Sequence, residues 1–162
     1  LWVSSHNLCL KRSETNSYWR AILPIEERLL EIMENGWILY GELLGVQDLK
    51  YGFDKGNVGV KFFDLFKGTD YLRWDDFLRW MISNFGMSTN LIAPTIYVGP
   101  YDYIKMEELS KGNTIIKGVN HIREGIVIRP MKERFDEKIG RVILKFINDD
   151  YLLDQNPKTE YH

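Results

Sequence analysis

Apolar positions along the chain gather in short blocks separated by Gly- and Asp-containing breaks: WILYGELL at 37–44, VGVKFFDLF at 58–66, EGIVIR at 124–129 and RVILKFI at 141–147. Each block has the length and β-branched or aromatic content of a strand. LWVSSHN at the start reads as a further strand, with Trp2 and Val3 as its apolar members. PIEERLLEIMENG differs: Ile25, Leu29, Leu30 and Met33 recur at helical spacing, Pro24 stands at the entry and Gly36 at the stop. A second helix is predicted through Phe77, Leu78, Met81 and Ile82, with Asp75 or Asp76 as its cap and Gly86 near its end. A third, short one runs from Asp102 to Lys111 and stops at Gly112. APTIYVGP reads as a brief strand between prolines, Gly45–Asn57 as loop, and KGTD at 67–70 as a turn. Strands outnumber helices in an order without βαβ rhythm, which predicts α+β with largely antiparallel sheets.

Composition narrows the class. With 162 residues and 44% apolar content the chain is long enough for one domain with a real core. A formal net charge of −2 argues against coating nucleic acid by bulk charge, though not against a local basic surface. Cys9 is the single cysteine, which excludes an internal disulfide framework and a thiolate metal cluster and fits a reducing intracellular compartment, cytoplasm or nucleus. No run approaches the ~18–20 apolar residues of a membrane helix, so no membrane partner is expected. The first residue is Leu1, and the opening strand leads to the expectation of a chain that is N-terminally incomplete. Residues 1–153 are read as one domain and 154–162 as a polar tail.

Three charges stand out because they fall inside apolar strand patterns: Glu42 in YGELLG, Glu124 opening EGIVIR, and Lys145 in RVILKF. A carboxylate on a buried strand is costly unless something holds it. Taken singly, Glu42 reads equally as a strand-end carboxylate in water, Glu124 as a residue at a strand entrance, and Lys145 as a snorkelling edge residue. Phe63 in KFFDLF reads as core or as a stacking face. Together they indicate one charged ligand met by several strands.

The order of these elements resembles the covalent nucleotidyltransferase superfamily, and within it the ATP-dependent RNA ligases. The resemblance rests on YGELLG with Glu42, KFFDLF with Phe63 and Asp64, EGIVIR with Glu124, RVILKF with Lys145, and the phrase GVQDLKYG after the Glu42 strand. It spans roughly residues 1–153. It implies a nucleotidyltransferase fold, ATP-grasp-like, whose antiparallel sheets line a nucleotide cleft. It also implies ATP with Mg²⁺ (or Mn²⁺) as cofactors, and RNA 5′-phosphate and 3′-hydroxyl ends as partners. In those roles Phe63 would stack on the base, Glu42 would accept from ribose hydroxyls, Glu124 would hold a hydrated metal ion, and Lys145 would face the α-phosphate. The four side chains are expected to converge on one cleft. The family's early arginine is matched here by His6, or by Arg12 reaching in from the next loop, and Ile147 stands where a second lysine often follows the first.

The nucleophile is the largest departure. These enzymes use the lysine of a KxDG or KxHG sequence to take AMP from ATP; AMP then passes to an RNA 5′-phosphate and is displaced by a 3′-hydroxyl. No lysine of this chain stands in such a sequence, and Lys55 in DKGN lies beyond the Glu42 strand. The expectation is that the lysine lies upstream, with an additional domain possible there, and that this chain alone is not adenylated. A DNA ligase, a capping guanylyltransferase and a non-catalytic nucleic-acid-binding domain of the same fold are the alternatives. RPMKERFDEKIGR, with Arg129, Lys132, Arg134, Lys138 and Arg141, reads either as a nucleic-acid contact or as a solvated hairpin diluted by Glu133, Asp136 and Glu137.

Overall fold

The computed structural model describes residues 1–46, 51–54, 56–87 and 89–154. Lys55 and the tail from residue 155 therefore lie outside the described residues, as do residues 47–50 of the loop. The chain divides into two compact units, Leu1–Ala93 and Pro94–His162. Every sheet among the described residues is an antiparallel pair, as the strand-rich, βαβ-free pattern predicts. No helix among them is long and apolar enough to cross a membrane.

In the first unit, β1 (Val3–Ser4) and β2 (Cys9–Leu10) form a minimal hairpin. α1 (Ser17–Ile22) follows, a helix absent from the sequence expectation because six residues give no readable period. Its one local signal is Asn16, whose side chain accepts from the amides of Tyr18 at 3.0 Å and Trp19 at 3.2 Å. Pro24 sits in a 3₁₀ turn, Leu23–Ile25, that leads into α2 (Glu26–Ile32). β3 (Trp37–Leu44) pairs with β4 (Gly59–Lys67) in the longest ladder among the described residues.

One face of that ladder carries the core. Phe62 and Leu65 of β4 pack on Phe77 and Met81 of α3 (Trp74–Phe85). Gly41 lies on this face because a side chain there would meet Phe62 and Val60 at 2.8 Å each. On the opposite face of the ladder Ile38 and Glu42 are exposed. The cap of α3 also differs. Arg73 is the N-cap residue and offers no side-chain bond, while Asp75 and Asp76 lie inside the first turn, where they face the positive helix end.

APTIYVGP forms no strand. Pairing stops one step earlier, where Phe62 donates to Leu91 O at 2.6 Å and accepts from Ala93 N at 2.8 Å. Pro94 follows at once and has no N–H with which to continue the ladder.

In the second unit, Asp102 caps α4 (Tyr103–Ser110) by accepting from Lys105 N at 2.8 Å. β5 (Gly125–Ile128) pairs with β8 (Leu144–Ile147), and the connection between them forms its own hairpin, β6 (Phe135–Asp136) and β7 (Gly140–Arg141). The expected single strand 141–147 is thus split, because Arg141 pairs back onto Phe135 rather than onward with β5. α5 (Asp149–Asp154) closes the described chain.

Candidate functional site

The first unit brings Glu42 and Phe63 to one face. Glu42 pairs with Lys61 across the ladder, and Gly41 pairs with Phe62. Between the pairs Tyr40–Asp64 and Gly41–Phe62 the register shifts, so Phe63 is an extra residue on β4, a β-bulge. With Phe62 turned into the core, alternation points Phe63 to the opposite face, shared with Glu42 and Lys61. Its ring is 41% exposed, more than a core phenylalanine allows.

The buried carboxylate of this strand pair is Asp64, 2% exposed, and not Glu42, which reaches solvent. The premise that Glu42 needs a holding partner to offset burial is therefore corrected; that need falls on Asp64, which accepts from Leu65 N at 3.1 Å. Lys61 was not singled out from the sequence, although two-residue periodicity with Phe63 was the available signal. Its ammonium donates to the side-chain oxygen of Asn90 at 3.0 Å and to the Asn90 carbonyl, and burial pushes its pKa below the usual lysine range.

The second unit brings Glu124 and Lys145 into direct contact: the Lys145 ammonium donates to the Glu124 carboxylate, and both side chains are substantially exposed. Two devices fix this geometry. Gly125 lets β8 approach, since a Cβ there would lie 2.9 Å from Ile147 Cα and 3.1 Å from the Phe146 carbonyl carbon. Asn148, fully buried, stitches the strand entrance. Its amide N–H donates to Glu124 O at 2.9 Å, its side chain donates to Arg123 O at 3.0 Å, and its Oδ1 accepts from Asp150 N at 3.1 Å.

Arg123 ties the same entrance to α4 by donating to Leu109 O, and to Asn113 O at 2.8 Å. Neither Asn148 nor Arg123 was selected from the sequence; the Asn-Asp-Asp start of α5 was the available cue for the first. Val127, opposite Lys145 in the register and 66% exposed, leaves an apolar surface beside the lysine.

His6 and Arg12 belong to the opening hairpin and the loop after it. His6 is exposed in the turn between β1 and β2. Arg12 is engaged by Glu26 in a two-pronged pair, Nε to Oε1 at 3.0 Å and Nη2 to Oε2 at 2.8 Å. The hydrogen bond from Arg12 holds the Glu26 carboxyl below its ordinary pKa. Arg12 could contact a phosphate only by giving up this bidentate partner.

The basic connection between β5 and β8 separates into two groups. Glu133 binds Arg129 at 2.5 Å and Arg141 at 2.6 Å, largely out of solvent, so these two cations fasten the base of the β6–β7 hairpin. Lys132, Arg134 and Lys138 are exposed. Hydrogen bonding from Arg141, and then from Arg129, outweighs burial and lowers the Glu133 pKa. A carboxylate with a depressed folded-state pKa stabilises the fold above its unfolded value, near 4.3, and that contribution is lost as pH falls through the folded value. Thermal unfolding followed from pH 6 to 3 should therefore show a falling midpoint, and Glu133→Gln should flatten the decline below about pH 4.5. An unchanged slope in the variant would remove Glu133 from the acid response.

The fold itself has solved counterparts. A Naegleria gruberi RNA ligase structure with PPi superposes with a TM-score of 0.68 at 18% identity, over 95% of this chain and 47% of that one. Two lysine-to-alanine variants of the Naegleria gruberi RNA ligase with ATP and Mn match at TM-scores of 0.65 and 0.66, with 18% and 16% identity, over 90% and 94% of this chain and 42% and 46% of theirs. At such identities the likeness establishes the fold: α+β, of the RNA ligase type. The RNA ligase family profile matches residues 3–147; the chain belongs to the RNA ligase family. It spans about half the length of the solved relatives it matches. No curated protein matches it.

Proposed function

We propose that this chain is the nucleotide-binding part of an ATP-dependent RNA ligase, and that Glu42, Phe63, Glu124 and Lys145 are among its ATP-contacting residues. The observation that carries the reading is the Glu124–Lys145 contact on the β5–β8 pair: an acid suited to a hydrated cation stands beside a base suited to a phosphate. Exposure supports it, since none of the four side chains is buried in the core. Phe63 offers a ring face for the base, and Glu42 accepts from ribose hydroxyls.

Among the described residues no group of three or more His, Cys, Asp or Glu forms a metal cage. Glu124 is a single hard oxygen donor, which fits Mg²⁺ or Mn²⁺ held together with waters and phosphate oxygens, the usual manner for Mg²⁺. The cation would supply charge neutralisation on the phosphates when bound. With a cation held by Glu124, Lys145 would be free to place positive charge on the α-phosphate, where negative charge builds during transfer. His6 or Arg12 supplies any further phosphate contact. Sealing of a 5′-phosphate to a 3′-hydroxyl RNA end is the proposed overall reaction, through lysyl-AMP and RNA-adenylate.

The test is covalent labelling. With ATP labelled at the α-phosphate and Mg²⁺, the 162-residue chain should acquire no label. A longer protein that joins this chain to a KxDG or KxHG lysine should acquire one, stable to base and labile to acid as a phosphoramidate is. Labelling of the short chain would move the nucleophile to one of its own lysines, Lys55 first, and would sink the assignment made here. Failure of the longer protein to label would favour a non-catalytic role.

A further inference from the structure

The β6–β7 hairpin is built more firmly than a solvated connection requires, and it presents the wrong residues to water. Phe135 is 77% exposed and Ile139 59% exposed. Asp136 Oδ1 accepts from Lys138 N at 2.9 Å and Ile139 N at 3.3 Å, which fixes the turn. The Phe135 ring rests beside Gly140, and Val142 N donates to Arg134 O at 2.9 Å. Glu133 binds Arg129 and Arg141 at the base, as described above. The hairpin thus presents a largely exposed aromatic ring beside a braced turn.

Charge points to what the ring meets. Residues 129–141 hold five cations and three acids, a net of +2 in a chain whose total is −2. With Arg129 and Arg141 committed to Glu133, the cations left at the surface are Lys132, Arg134 and Lys138, all within four residues of Phe135, and no ion pair among the described residues engages them. An exposed aromatic ring interleaved with lysine and arginine is the chemistry that binds single-stranded nucleic acid: bases stack on the ring while phosphates meet the cations.

We infer that the β6–β7 hairpin is a landing site for the single-stranded RNA next to the end being sealed, with Phe135 stacking on a base and Lys132, Arg134 and Lys138 contacting the backbone. The inference rests on the RNA ligase reading above and adds to it where the substrate strand runs. Arg141, paired with Phe135, lies four residues from Lys145, a chain distance of at most about 13 Å at ~3.3 Å per residue. That is no more than the length of about four stacked nucleotides at ~3.4 Å each.

The test is fluorescence anisotropy of the full chain with an end-labelled, unstructured 12-nucleotide RNA, over a range of salt. Binding of a fluorescent ATP analogue is measured in parallel. Phe135→Ala should weaken the 12-mer roughly five- to hundredfold, the range of aromatic–base stacking. Phe135→Trp should restore 12-mer binding, which a merely structural role would not explain. Serine at Lys132, Arg134 and Lys138 together should reduce the salt slope by about 2, at ~0.7 per phosphate contact. Nucleotide-analogue binding should be unchanged in every variant.

The proposal is overturned if the wild-type chain binds no 12-mer, or if Phe135→Ala and the triple variant bind it as wild type does. It is equally overturned if the chain self-associates through this surface, with Phe135→Ala making it monomeric and RNA affinity unaffected. Loss of nucleotide binding by the wild-type chain would instead count against the ligase reading, whatever the RNA result.

Discussion

Gly125→Ala should lower stability by roughly 3 kcal/mol or more, in the upper tail of single substitutions. The Cβ would be driven against the Phe146 carbonyl oxygen, with Ile147 Cα at 2.9 Å. These are backbone atoms of the paired strand, so no rotamer change relieves the contact. Either β5 and β8 separate or the side chain is not accommodated, and each outcome undoes the pairing that sets Glu124 against Lys145. Gly112→Ala is the control within the same unit. It has a positive φ of 81° but nothing within 4 Å of the added atom, so it should cost only the backbone term, about 1–2 kcal/mol. Urea unfolding of the two variants reads the difference. Equal costs would mean that the β8 approach at Gly125 is not the source of the constraint.

Replacing Lys145 or Glu124 with Ala should have the largest effect on activity and one of the smallest on folding. In a longer protein that carries the nucleophilic lysine, each replacement should lower RNA sealing by about 10²–10³-fold, the scale for removing one charge-stabilising group from a transfer site. The pair is exposed, and exposed ion pairs contribute about 0–1 kcal/mol to stability. The unfolding midpoint should therefore move little. Single-turnover sealing and a urea melt on the same preparations make the comparison. Wild-type sealing by both variants would show that these side chains do not act on the nucleotide. A large loss of stability would show that the pair holds the fold rather than the ligand.

The elements that could be read from the chain are those whose signals are local. β3 and β4 announce themselves by eight- and nine-residue runs of strand-forming residues, α3 by its apolar period and Gly86, and α4 by Asp102. Glu124 and Lys145 were legible singly, because each interrupts a β-branched run; that they touch follows from the β5–β8 pairing. Where local signals were thin, expectation and structure part: α1 is too short to show a period, and APTIYVGP has strand-forming residues but no partner beyond Ala93.

The sequence by itself determined the order of strands and helices, the family of the chain, and the charged residues that interrupt its apolar runs. These follow from spacing and side-chain type, which act over a few residues. Tertiary structure decided which of those residues face solvent and which are already committed. The extra residue at Phe63 exists only because β3 fixes the register on both sides of it, and that pairing turns Phe63 and Glu42 outward while burying Asp64. Arg129 and Arg141 look like any cations of a basic stretch until the hairpin folds and brings both to Glu133. Asn148 is one polar residue among several until β8 carries it under Arg123 and Glu124. In each case the deciding partner lies on another strand or across a hairpin. The energy of such contacts depends on a distance that only chain folding sets, so composition and period carry no trace of it.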